Sequence, residues 1–168
     1  MNNVMDLLVH LEQTRVLTWV RQSGSLLAFP TLLLLHTYGM AVLVGIAAAI
    51  DIRILGFAPA LPVAPLKRFL PVLWAAFWVN AVTGTILLAA DATTKLPSPD
   101  FWIKMGFITL AVVIQRLIQQ RIFRDPGGAG EPYSAGLRML AVASLTCWLG
   151  AITAGSLLAY LGEVSGLQ

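Results

Sequence analysis

Residues 31–40 read TLLLLHTYGM, inside an uncharged run from Ser25 to Ile50. An uncharged stretch of that length is a candidate transmembrane helix, since a span needs about 20 apolar residues. The histidine in it is the exception. An ionisable side chain is costly in hydrocarbon and calls for a partner or a function.

The rest of the chain supports the same environment. Of its 168 residues 58% are hydrophobic and 11% charged, with a mean hydropathy of +0.80. Soluble domains carry about 25% charged residues, so this charge is too sparse for a water-facing surface. Four spans at about 20 residues each leave little chain for anything else. They are expected at 26–54, 67–91, 100–123 and 134–161. Pro30 and Pro71 fall in first turns, where a missing N–H costs least, and Asp100 is placed to cap the third span. The connections GFAPALPVAP, DATTKLPSPD and RDPGGAGEPY are rich in helix breakers.

Residues 3–22 alternate apolar and polar positions at helical spacing. They predict an amphipathic interfacial helix, with residues 1–24 as a unit preceding a bundle of 25–168. The first long apolar run starts near residue 25 and exceeds a signal-peptide core, so no cleaved leader is expected. The fold class is therefore all-α: an integral membrane four-helix bundle with an N-terminal interfacial helix.

Lysines and arginines set the orientation. Seven (Arg53, Lys67, Arg68, Arg116, Arg121, Arg124, Arg138) fall at one end of the spans and four (Arg15, Arg21, Lys95, Lys104) at the other. The positive-inside rule puts the first group in the cytoplasm and both termini outside. The formal charge of +3 thus reads as topology, and no basic patch with aromatics suggests nucleic acid. A single cysteine, Cys147, excludes an intrachain disulfide. Hydrolase, protease and NTPase motifs are absent, and Asp51 and Arg53 read as an interface charge cluster.

His36 lies about 16 Å into the first span, near the midplane. Gly39 and Met40 share its face. Glycine beside histidine opens a flat slot suited to a porphyrin, and neutral imidazole is the usual axial ligand of b-type haem. Its other nitrogen then needs an acceptor, a carbonyl or Thr37. The plainer reading is a histidine hydrogen-bonded to Asn80, Gln115 or a threonine. For a second ligand the candidates are Met40, Met105, Met139 and a His36 from another copy, the remaining option being five-coordinate iron. His10, on the polar side of the N-terminal helix, reads as a surface residue. Lys104 is either a snorkelling cation or the partner of an anion such as a haem propionate. Asn80 bonds across helices or orients His36 or a cofactor. Ala143, Cys147, Ala151, Gly155 and Ala159 form a small-residue stripe that lets another helix approach closely.

His36 with Gly39 and Gly45, Arg53, the Pro71…Thr83-Gly84 span and Phe101-Trp102-x-Lys104 resemble a loose group of small bacterial membrane proteins. The group includes haem-associated membrane protoporphyrinogen oxidases, the membrane domain of copper-resistance D-type proteins and, most similar, uncharacterised four-helix inner-membrane proteins. The resemblance covers about residues 30–120. It implies haem-associated roles for His36 and Lys104. The chain lacks the oxidases' additional histidines, so haem binding is implied rather than the oxidase reaction.

The expected function is a b-type cytochrome of the bacterial inner membrane. His36 would ligate haem b, with Gly39, Met40, Asn80 and Lys104 around it. Electrons would pass between a membrane pool such as quinone and an outer-side partner, in a homo-oligomer. The alternatives are a non-catalytic anchor or assembly subunit, and copper handling.

Overall fold

The computed structural model describes residues 2–57, 64–124 and 133–164. Most of the two proline-rich connections at 56–65 and 124–133, and the side chain of Ala159, lie outside the described residues. Seven helices are present and no strand occurs among the described residues: α1 (Asn2–Glu12), α2 (Arg15–Gln22), α3 (Phe29–Ile54), α4 (Leu70–Ala90), α5 (Ala92–Lys95), α6 (Pro99–Arg124) and α7 (Ala135–Val164). A 3₁₀ turn, Ala64–Phe69, leads into α4.

The chain is an all-α membrane protein with four helices long and apolar enough to span: α3, α4 with the turn before it, α6 and α7. Only 17% to 33% of each apolar window is buried inside the protein. Most of this apolar surface faces outward, which suits a bilayer and not water. Leu34, Tyr38, Trp78, Trp102 and Leu149 are among the large exposed side chains.

The sequence explains the helix ends. Pro30 and Pro71 sit in first turns as expected. α3 stops at Gly56, whose φ of +98° suits glycine. The Gly56 N–H donates to the Arg53 carbonyl and the Phe57 N–H to that of Ile52, a Schellman ending. Arg138 reaches across from α7 to the Leu55 carbonyl at 3.4 Å. The expected cap at Asp100 is corrected: α6 begins at Pro99, and Asp100 lies in its first turn, where its charge favours the helix dipole.

Packing pairs α3 with α4 and α6 with α7, and α3 also meets α7. In hydrocarbon such pairing depends on close fit, because lipid tails are as apolar as the helices. Glycines supply the fit. A Cβ on Gly39 would lie 3.3 Å from the Ala76 carbonyl oxygen and 3.5 Å from Asn80 Cβ, and one on Gly150 would lie 2.9 Å from the Phe107 ring. Within the small-residue stripe, Cys147 and Ala151 are buried. Cys147 belongs to the core and Ala143 packs against it, while Gly155 meets Lys104 of α6. The chain uses its own stripe.

The core is unevenly distributed along the membrane normal. Leu43, Ala47, Ile50 and Ile54 of α3 meet Leu73 and Ala76 of α4, Ala111 to Ile122 of α6 and Leu137 to Trp148 of α7. All belong to the half nearer the basic end. In the opposite half α4 and α6 leave an open apolar groove of about 750 Å³, lined by Leu88, Leu96, Phe101, Trp102, Met105 and Leu110 among others.

The N-terminal segment is two short helices, where a single one was expected, broken at Gln13–Thr14. Glu12 fastens them to the loop before α6. Its carboxylate accepts from the Thr93 N–H at 2.7 Å and the Thr93 hydroxyl at 2.8 Å, and pairs with Arg21 at 3.2 Å. Arg21 also donates to the Ala90 carbonyl at the end of α4. Leu7, Leu11, Val16 and Trp19 stay exposed.

Two predictions follow from this packing. Burial raises the Glu12 pKa, but the Thr93 bonds and Arg21 outweigh it and hold the group below its ordinary 4.5. A depressed carboxylate stabilises the fold above its unfolded pKa, and the contribution is lost as pH falls through the folded value. Amide exchange in α1 and α2 is expected to rise on acidification below the ordinary value, and Glu12→Gln to remove that pH dependence. Gly39→Leu is expected to cost about 1–3 kcal/mol by forcing α3 and α4 apart. Gly45→Leu, with nothing within 4 Å of its Cβ position, is expected to be nearly neutral. Thermal unfolding in detergent distinguishes them.

Candidate functional site

His36 lies on α3 where that helix faces α4, and is half-buried. Its Nδ1 is 3.1 Å from the main-chain carbonyl oxygen of Asn80 and 3.1 Å from Thr83 Oγ1. A carbonyl only accepts. The Thr83 hydroxyl donates its own proton to the Val79 carbonyl at 2.7 Å, which leaves its oxygen as an acceptor too. Nδ1 therefore carries the ring proton, and Nε2 keeps its lone pair with no hydrogen-bond partner. This is the arrangement that makes a histidine a directed ligand or base.

The ring lies over Gly84, whose Cβ position is 2.9 Å from His36 Cε1 and 3.4 Å from Nδ1. Any side chain at 84 displaces the ring. Gly84 is thus a site residue that the sequence reading named only within the Pro71…Thr83-Gly84 resemblance and gave no role. The signal was present: Asn80 and Gly84 are one turn apart on the α4 face that His36 must meet.

Several expected roles change. Thr37 does not orient the ring, since its hydroxyl donates to the Leu33 carbonyl at 2.9 Å. Asn80 does orient it, through its backbone, while Asn80 Oδ1 is buried without a partner. The space at Gly39 is filled by α4, so that glycine serves helix approach and offers no porphyrin slot. Met40 is half-buried one turn beyond His36 on the same helix face. It cannot sit opposite His36 across a porphyrin plane. His10 is exposed on α1.

Lys104 is half-buried in the seam between α6 and α7, with Cε and Nζ both 3.4 Å from the Gly155 Cβ position. It is turned toward α7. No carboxylate among the described residues pairs with it. A half-buried cation within a span suits an anionic ligand.

The basic end holds a second polar group of side chains. Asp51 and Arg53 are not at the surface as expected. Asp51 is 0% and Arg53 8% exposed, because both turn inward at the close of α3. Ser144 of α7 lies beside Asp51, and Gln115 Oε1 of α6 is 3.4 Å from the Ser144 hydroxyl; Trp148 and Gln119 come one turn further along the same two helices, and all are buried. The Trp74 indole N–H donates to Gln119 Oε1 at 3.2 Å, and the Arg116 guanidinium stacks 3.7 Å over the Trp74 ring.

Among the described residues no three His, Cys, Asp or Glu side chains come together as a metal cage. Cys147 is buried with no such partners. No family model matches the chain, and neither a curated protein nor a solved structure matches it.

Proposed function

We propose that the chain is a b-type haem protein of the bacterial inner membrane, with His36 Nε2 as an axial ligand. It exchanges electrons between the quinone pool and a partner on the outer side. The observation that carries this reading is the Nδ1–H bond to the Asn80 carbonyl, which fixes the tautomer and leaves Nε2 without a hydrogen-bond partner among the described residues. Haem, when bound, supplies one-electron chemistry whose potential depends on ligand identity, nearby charge and burial.

The residues fit the group at three points. His36 is held in the ligating tautomer. Lys104 offers a cation that no carboxylate among the described residues pairs with, suited to a propionate. The groove between α4 and α6 begins one helical turn from Gly84, at Leu88. It is apolar and open laterally, as entry of a quinone from the bilayer requires. A second protein ligand, were one needed, would have to come from outside the His36 face, and a second copy of the chain could supply it. The seven-to-four distribution of basic residues supports an orientation with both termini on the periplasmic side.

An optical spectrum tests this. Protein purified in mild detergent from haem-replete cells is expected to show a Soret band, with sharp α and β bands on dithionite reduction. His36→Ala is expected to lose them. Gly84→Ala, whose methyl meets Cε1, is expected to weaken and shift them while the helix content by circular dichroism holds. Lys104→Met is expected to keep the bands and lower the midpoint potential, because a nearby cation favours the reduced state. A colourless wild type, or bands that survive His36→Ala, overturns the proposal. Colourless protein favours a membrane anchor or assembly subunit.

A further inference from the structure

The Asp51 group stands apart from the His36 site. From 36 to 51 along α3 is about 22 Å at 1.5 Å per residue. Both oxygens of Asp51 are buried without a hydrogen-bond partner. The Ser144 hydroxyl lies beside the carboxylate and also makes a long contact, 3.4 Å, to Gln115 Oε1. Three N–H donors in the same group are also buried without acceptors: Gln115 Nε2, Gln119 Nε2 and Trp148 Nε1. An ionised carboxylate left in such a place is heavily penalised.

The balance of donors and acceptors identifies what the site takes. A metal cation would satisfy the Asp51 oxygens but leave three N–H groups unmet. Water satisfies both sets, because each molecule donates to a carboxylate and accepts from an amide or indole. A proton on Asp51 removes the charge and adds a donor for Ser144 or Gln115 Oε1. A single carboxylate also leaves the charge of a divalent cation half uncompensated.

We propose that Asp51, with Ser144, Gln115, Gln119 and Trp148, forms a hydrated proton-binding site within the basic end of the bundle. One proton passes from water at that end to a carboxylate oxygen, giving a neutral acid, and returns by the same route. Of the other ionisable groups described at this end, Arg121 on α6 is exposed. Arg53 on α3 lies 5.9 Å from the Tyr133 ring centroid. Arg116 on α6 is held over Trp74. On α7, Arg138 caps the Leu55 carbonyl, and Cys147 is a buried thiol. Lys67 and Arg68 belong to the 3₁₀ turn that leads into α4, and both are exposed.

Infrared difference spectroscopy on the full chain in nanodiscs tests the site without reference to haem. The expected result is a protonated-carboxyl C=O band that grows as pH is lowered and moves to lower wavenumber in D2O. It is absent in Asp51→Asn, which keeps the side-chain shape. Gln115→Leu is expected to retain the band and move it to higher wavenumber, as an acid with one fewer hydrogen bond does. If the Asn variant fails to fold, the wild-type titration and the Gln115→Leu shift decide alone. Absence of the band throughout the pH range in which the protein stays folded overturns the proposal. So does a band indifferent to D2O and to Gln115→Leu. A band abolished when sodium replaces a bulky organic cation also overturns it, in favour of a metal-cation site.

Discussion

Helix association in a bilayer depends on close contact, since burying apolar surface gives no advantage over lipid. In this chain the contact is made where side chains are missing. Gly39 admits the Ala76 carbonyl of α4, and Gly150 admits the Phe107 ring of α6. Each seam fixes one helix pair, and α3 against α7 joins the pairs. The position of His36 over Gly84 follows from the first seam: once Gly39 sets the distance between α3 and α4, the ring three residues earlier must lie on the α4 backbone. Lys104 follows from the second, because the same approach that seats Phe107 on Gly150 brings the lysine to Gly155.

The two halves of the bundle then serve different ends. Nearer the basic end, Leu43 to Ile54, Ala111 to Ile122 and Leu137 to Trp148 close into a continuous core. At the other end the spans separate enough to leave the α4–α6 groove. Rigidity and access conflict in a small bundle, and here they are divided along the membrane normal. The half-exposed histidine and lysine occupy the open half, where a ligand can enter from the side. The fully buried Asp51 occupies the closed half, where only something as small as water or a proton fits among the helices.

How much the sequence revealed follows from which forces are local. The spans were legible because apolar length, Pro30, Pro71 and Gly56 act within a few residues of themselves. His36 and Lys104 stood out because a lone ionisable group in an apolar run is anomalous wherever it points. The Gly39 slot was misread because the same missing Cβ that admits a porphyrin also admits a helix, and only the packing tells which. Asp51 was misread for a similar reason. Near the end of a span, one turn in either direction carries a carboxylate to the headgroups or into the bundle. The rotation of α3, set by Leu43, Ala47, Ile50 and Ile54 together, carries it inward. The tie from Glu12 to Thr93 spans 81 positions, and neither residue is unusual where it stands.

A polar group retained inside hydrocarbon needs a compensating reason, and the two sites answer that requirement differently. At His36 the backbone compensates one nitrogen completely and leaves the other free, so the unmet capacity is directional and belongs to a single atom. Around Asp51 the unmet capacity is spread over a carboxylate, two amides and an indole on three helices. A directional lone pair suits a ligand that forms one strong bond. A dispersed set of donors and acceptors suits a medium that makes many weak ones. Replacing the Asp51 group by apolar side chains of equal volume would remove an energetic burden from the bundle. Packing at this end is otherwise tight, with Ile118 and Ala141 wholly buried, so the fold has no structural need of a carboxylate there.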